Sequence, residues 1–179
     1  MCSRGMPRSP LQPQRVAGAA SFGVYCYAVK TEVHSEKEMK AFGARLGAAL
    51  RGGEIIELVG DVGAGKTTLT KGIAIGLGID EDVQSPSFTI SRVYDGRDNL
   101  RLSHYDFYRL HDAGIMADEL HETLHDPKTV TIIEWAEIVS GVLPTDCLVI
   151  QITSPTETDR LVSITAGGEV SRRLLKELA

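Results

Sequence analysis

One lysine and one threonine behind a glycine-rich loop could bind a nucleotide. Gly60-Asp61-Val62-Gly63-Ala64-Gly65-Lys66-Thr67 fits the pattern G-x-x-x-x-G-K-[ST], the phosphate-binding P-loop. A triphosphate carries several negative charges in a small volume. Gly60, Gly63 and Gly65 let the backbone take positive φ and come close to such a ligand. The N–H groups of the loop, those of Asp61, Val62 and Ala64 among them, then form an anion nest at the positive end of the following helix. Lys66 is expected to reach the β- and γ-phosphates. The Thr67 hydroxyl is expected to hold Mg²⁺, with Thr68 a weaker second candidate.

A hydrolase built on this loop needs a carboxylate near Mg²⁺, usually at the end of an apolar strand beside the loop's own strand. Two places qualify. Glu134 ends the apolar run Val130-Thr131-Ile132-Ile133 and is the better match. Asp106 sits late in an alternating stretch, on the same face as Leu102 and His104, and ranks lower on pattern alone. The default for a lone strand-end acid is a solvated side chain. Ser87 is either a plain turn serine or a switch hydroxyl that reaches the γ-phosphate or Mg²⁺. Trp135 is the only tryptophan and follows Glu134 directly. His104 is a hydrogen-bonding histidine rather than a metal ligand, because no second His or Cys lies at ligand spacing.

The loop needs a strand before it and a helix after it. Glu54 to Val59 reads as a short buried strand, and Leu69, Ile73 and Leu77 repeat at helical spacing. Upstream, Val24 to Val33 alternates as a first strand, with Tyr25, Tyr27 and Val29 on one face. Ser35 and Glu38 form a capping box for a helix through Met39, Phe42, Leu46 and Leu50, ended at Arg51-Gly52-Gly53. Downstream, Phe88 to Tyr94 and Leu100 to Tyr108 flank a polar turn and predict a β-hairpin. Asp112 to His125 reads as a helix with Ile115, Met116, Leu120 and Leu124 on one face. Strands at 130–133, 147–152 and 160–165 and a helix from Glu169 to Leu178 complete the chain.

Composition bounds the rest. The 179 residues suffice for one domain, and 42% are hydrophobic and 24% charged. The net charge is −5, so no basic field exists for tight unaided binding to nucleic acid. Cys2, Cys26 and Cys147 show neither metal spacing nor a disulfide framework, which suits a reducing cytoplasm. No apolar run approaches the ~20 residues needed to span a membrane. Residues 1–23 are rich in Pro, Arg, Ser and Gln without periodicity. They are expected to be a disordered extension before a single domain over 24–179.

Four segments taken together resemble one family, the bacterial TsaE (YjeE) proteins. They are GDVGAGKTT, Ser85-Pro86-Ser87-Phe88-Thr89, His104-Tyr105-Asp106-Phe107-Tyr108-Arg109 and Ile133-Glu134-Trp135. The likeness runs from about Val33 to Thr165. It implies an α/β P-loop NTPase fold: a mixed, mostly parallel sheet with an antiparallel hairpin and helices on both faces. It implies an ATP- and Mg²⁺-dependent ATPase of tRNA threonylcarbamoyladenosine synthesis, which acts on the TsaB–TsaD heterodimer and meets tRNA only indirectly. By the same resemblance, Lys66 and Thr67 serve phosphate and Mg²⁺. Asp106 and Glu134 become Mg²⁺-site or catalytic acids, Trp135 lies near the nucleotide, and Ser87 is a switch residue. The family usually has Thr where Ser87 stands, and WPE where this chain has Trp135-Ala136-Glu137. A small-molecule kinase is the alternative, with Arg101 and Arg109 brought to one face by alternation. A GTPase is disfavoured, because no N/T-K-x-D segment occurs.

Overall fold

In the computed structural model the described residues are 28–112 and 114–178. The expected extension over 1–23, and Tyr25 and Tyr27 of the first strand, lie outside them. The chain runs β1 (Ala28–Val33), α1 (Glu36–Ala49), β2 (Ile55–Val59), α2 (Lys66–Gly76), β3 (Ser91–Asp95), β4 (Arg101–Asp106), α3 (Ile115–Leu124), β5 (Thr129–Glu134), β6 (Leu148–Thr153), β7 (Arg160–Ala166) and α4 (Glu169–Leu178).

The seven strands form one sheet in the order β1-β7-β6-β2-β5-β4-β3. Its centre is parallel: β2 lies between β6 and β5, and β4 follows β5 in the same direction. The outer pairs are antiparallel, including the β3–β4 hairpin. Every residue of β5 is buried. A strand covered on both faces has no polar side to show, which is why this one reads as an apolar run.

One face of the sheet carries α1, α2 and α4, whose Leu46, Leu69, Ile73 and Leu174 join Ile56, Leu58 and Ile132 in the larger core cluster. The other face carries α3, which contributes Leu120 to a smaller cluster with Tyr105, Phe107 and Ile133. Burial of each such side chain contributes roughly 1.5–3 kcal/mol.

The loop's helix α2 is fixed against α1 at unusually close range. Gly43 and Gly47 of α1 face Gly72 and Gly76 of α2. A Cβ on Gly43 would lie 2.5 Å from the Leu69 carbonyl oxygen, and one on Gly47, Gly72 or Gly76 would run into the backbone of Ile73, Lys40 or Ala44. At the far end of both helices stands Arg97, from the hairpin turn. Its guanidinium donates to the carbonyls of Ala48 (3.0 Å), Leu50 (3.1 Å) and Gly47 (3.2 Å) in and just after α1. It also donates to that of Gly76 (3.3 Å) in α2. A cation on terminal carbonyls satisfies orphan acceptors and opposes the helix dipoles.

Several expected boundaries move. The hairpin's first strand begins at Ser91, not Phe88, because the Pro86 carbonyl accepts both the Thr89 and Ile90 N–H groups and turns the chain. Ile90 then sits at φ 67°, outside any strand conformation. The second strand ends at Asp106 rather than Tyr108. Helix α3 is shorter than expected, and Ile115 is exposed instead of sharing the buried face with Leu120. Ser35 caps α1 as expected, accepting from the Glu38 N–H, but Glu38 reaches back to the N–H of His34, not of Ser35.

Candidate functional site

Strand β2 delivers the chain into the loop at Gly60, and α2 begins at Lys66. Gly65 is the N-cap residue at φ 106°, a left-handed conformation that favours glycine. Among the described residues no side chain caps this helix, and its first turn holds no acid. The N–H groups and the positive end of the dipole therefore stay available to an anion. Val62 and Gly63 lie exposed at the loop's crest, Ala64 is buried beneath it, and Thr67 and Thr68 are half-buried in the first turn of α2.

The loop is gripped from a distant strand. The Arg160 Nε of β7 donates to the Ala64 carbonyl at 3.0 Å, while its Nη1 donates to the carbonyls of Asp159 (2.9 Å) and Glu157 (3.0 Å). A carbonyl held on this side cannot face a phosphate, where it would repel. Lys66 is nearly buried. Its Nζ donates to the carbonyls of Gly60 (2.7 Å) and Asp61 (3.0 Å), lies 3.8 Å from Glu134 Oε2, and stands 4.8 Å from the centre of the Trp135 ring.

Glu134 ends β5, the strand paired directly to the loop's strand β2, and Asp106 lies opposite it at the end of β4. Both carboxylates are almost fully buried, at 3% and 4% exposure, so neither is the solvated strand-end acid of the default reading. Glu134 Oε1 lies 3.0 Å from His104 Nε2. Asp106 Oδ2 accepts from the Ser87 hydroxyl in a short hydrogen bond and from Ser85 Oγ at 3.2 Å. Its Oδ1 accepts from the Tyr108 N–H at 3.0 Å. The two serine hydroxyls are 2.7 Å apart. Ser87 is thus seated on Asp106, and Ser85 with it.

Trp135 takes a left-handed backbone at φ 58°. Its ring meets that of Tyr108 at 5.0 Å and 49°. Phe88 is 85% exposed, with the Arg109 guanidinium 4.4 Å from its ring centre. Beside the loop opens a cavity of about 270 Å³ lined by Glu57, Asp61, Trp135, Glu137 and Gln151. Burial, and then the nearby Glu137 carboxylate, push the Glu57 carboxyl above its ordinary range.

Together these groups can hold a polyphosphate. The loop N–H groups and Lys66 would meet its charge, and two acids would stand on the sheet side. The oxygens of Thr67, Asp106 and Glu134 are hard donors suited to Mg²⁺. Among the described residues no set of three His, Cys, Asp or Glu is gathered to bind a metal unaided. That fits Mg²⁺, which takes one or two carboxylates and draws its other ligands from water and phosphate. The contacts of Ser85, Tyr108 and Arg160 at the site are not among those expected from the sequence. Ser85 had a local signal in its neighbour Pro86. Arg160 had none, since it acts 96 residues away from Ala64.

The arginines that a kinase would gather do not gather here. Arg97 caps two helices, Arg101 pairs with Asp126, and Arg109 lies over Phe88. Arg101 and Arg109 do not share a strand face, because β4 ends before Arg109. Among the described residues no helix is long and apolar enough to cross a membrane.

A family model described as threonylcarbamoyl adenosine biosynthesis protein TsaE matches residues 33–162. The tRNA threonylcarbamoyladenosine biosynthesis protein TsaE of Bacillus subtilis is 38% identical over 152 residues, 84% of this chain and 94% of that protein. Its namesake in Treponema pallidum is 35% identical over 130 residues, 73% of this chain and 95% of that one. The crystal structure of Bacillus subtilis YdiB superposes with a TM-score of 0.72 at 35% identity, covering 86% of this chain and 95% of YdiB.

Proposed function

The chain belongs to the TsaE family of threonylcarbamoyl adenosine biosynthesis proteins, and we propose that it is the Mg²⁺-dependent ATPase of tRNA N6-threonylcarbamoyladenosine formation. It binds ATP at the loop and acts on the TsaB–TsaD heterodimer, in which TsaD transfers the group. The net charge of −5 agrees with indirect contact with tRNA, and a cytoplasmic setting suits that substrate. One observation carries the reading. Lys66 Nζ lies between the loop carbonyls and Glu134 Oε2 at the start of an uncapped, acid-free helix.

The steps follow from the groups present. ATP phosphates replace the Gly60 and Asp61 carbonyls as partners of Lys66, which then neutralises the β- and γ-oxygens. Loop N–H groups and the α2 dipole meet the remaining charge in a site already shaped for it. Thr67, with Asp106 and Glu134, would hold Mg²⁺, which would supply charge neutralisation to the phosphates. Glu134 positions the attacking water through Oε2, the oxygen His104 leaves free. Trp135 and Tyr108 cover the nucleotide side and keep bulk water out.

Ser87 and Ser85 form the switch. While they donate to Asp106, their loop is latched to β4. When nucleotide draws on Asp106, those hydroxyls turn to the γ-phosphate side, and hydrolysis returns them. This is an order–disorder device read by a partner protein.

The test is ATP hydrolysis by the purified protein, alone and with TsaB–TsaD, against a Lys66→Ala control. Slow turnover alone, raised by the pair and absent from the control, is the expected result. Turnover indifferent to the pair would overturn the partner-gated part of the reading.

A further inference from the structure

His104 lies in β4 two residues before Asp106 and is completely buried, at 0% exposure. Its Nε2 is 3.0 Å from Glu134 Oε1. Among the described residues its Nδ1 is buried with no hydrogen-bond partner. A carboxylate oxygen accepts, so in this pair Nε2 is the donor. An orphaned buried nitrogen costs stability. An apolar side chain of similar volume, beside Leu102 and against Ile132 of β5, would fill the space without that cost. Packing therefore does not account for an imidazole here. What the imidazole adds is direction. With Oε1 tied to Nε2, the carboxylate plane is set, and Oε2 is the oxygen turned to Lys66 Nζ, 3.8 Å away.

We propose that His104 is a positioning residue of the ATPase: it orients the Glu134 carboxylate, so that Oε1 is occupied and Oε2 faces Lys66 and the attacking water. The proposal rests on the ATPase reading above and assigns His104 no contact with substrate. Neighbouring groups that hold catalytic ligands by such bonds contribute about 10–100-fold when removed.

Three substitutions separate orientation from bulk. His104→Leu removes the donor. His104→Gln places an amide N–H close to where Nε2 stands. His104→Asn carries the same amide one bond too short. His104→Leu and His104→Asn are expected to lower kcat about 10–100-fold. KM for ATP, and the affinity for a non-hydrolysable ATP analogue read by Trp135 fluorescence, stay within about threefold. His104→Gln is expected to restore most of kcat. A structural role alone would lower thermal stability in all three without separating Gln from Asn. Equal kcat in His104→Gln and His104→Leu, or a loss confined to KM, overturns the proposal.

A second readout does not need turnover. The side-chain carboxyl ¹³C resonance of Glu134, assigned by its loss in Glu134→Gln, is expected to move in His104→Leu and return in His104→Gln. A resonance that stays put in His104→Leu overturns the proposed bond. A resonance that responds, in a wild-type protein that hydrolyses no ATP, overturns the ATPase reading while supporting the bond.

Discussion

The phosphate loop and the acid side of the site meet at Lys66 and are built by opposite means. The loop takes eight consecutive residues and works through its backbone. Its N–H groups would meet an anion, and only Lys66 and Thr67 would offer chemistry from a side chain. The acid side takes Ser85 and Ser87 from a turn, His104 and Asp106 from β4 and Glu134 from β5. It works through side chains, and every carboxylate oxygen of Asp106 and Glu134 except Glu134 Oε2 already faces a named donor. A backbone site is robust to the identity of Asp61, Val62 or Ala64. A side-chain site is sensitive to one bond's length.

That contrast can be broken in several ways. Lys66→Ala should have the largest effect, because it removes the one side-chain cation of the loop. Charge-assisted bonds to two phosphates are worth on the order of 3–6 kcal/mol together, enough to erase measurable ATP binding. Circular dichroism should stay native, and an unfolded variant would make the lysine structural. Glu134→Gln should keep ATP binding and lower kcat by about 10²–10³. Loss of binding instead would mark Glu134 as chiefly a Mg²⁺ anchor.

The next test falls on the loop's support. Gly72→Ala should destabilise by about 1–3 kcal/mol in a denaturant titration, since its methyl meets the Lys40 carbonyl across the helix crossing. Nucleotide affinity per folded molecule should change little. Ser87→Ala should act more weakly, with a several-fold change in kcat from the loss of roughly 1 kcal/mol of latch. Ser87→Thr keeps the hydroxyl and should stay near wild type.

The smallest effect is expected at Glu57. Its folded pKa is raised by burial above the ordinary 4.5. The protonated form is thus favoured on folding. The stability it contributes is full below the unfolded pKa and is lost as pH rises through the folded one. Glu57→Gln should therefore match wild type in melting temperature under acid and exceed it near neutrality. A difference that does not vary with pH would sink this account.

The same contrast decides what could be read from the sequence. The loop was legible because its parts are adjacent and each has a local reason. So was α4, found at Glu169–Leu178 as expected after Gly167-Gly168. Glu134 was legible because a doubly buried strand leaves an apolar run that ends at its acid. The fold class followed from the loop and the four matching segments. The start of β3 was not legible. Phe88 to Tyr94 alternates, yet the Pro86 carbonyl captures the Thr89 and Ile90 N–H groups first. Ile115 fits a helical stripe by number, but among the described residues it is 84% exposed. The seating of Ser87 on Asp106, the bond from His104 to Glu134 and the grip of Arg160 on Ala64 span 19, 30 and 96 residues. No local pattern encodes them. The glycines of the α1–α2 crossing do carry a local signal, since each helix repeats glycine at a spacing of four.

Arg97 has a mechanical meaning. One guanidinium is tied to the carbonyls at the ends of two helices, and it sits at the tip of the hairpin whose other end carries Asp106. Sliding α1 along α2 would break one set of bonds or the other, so the pair and the hairpin tip travel as a single stiff lever. At the opposite end of that lever lies the Ser85–Ile90 turn, where Ser85 and Ser87 meet Asp106. A displacement of α2 by a bound phosphate would accordingly be carried along the helix to Arg97 and back along the hairpin to the turn where Phe88 stands exposed.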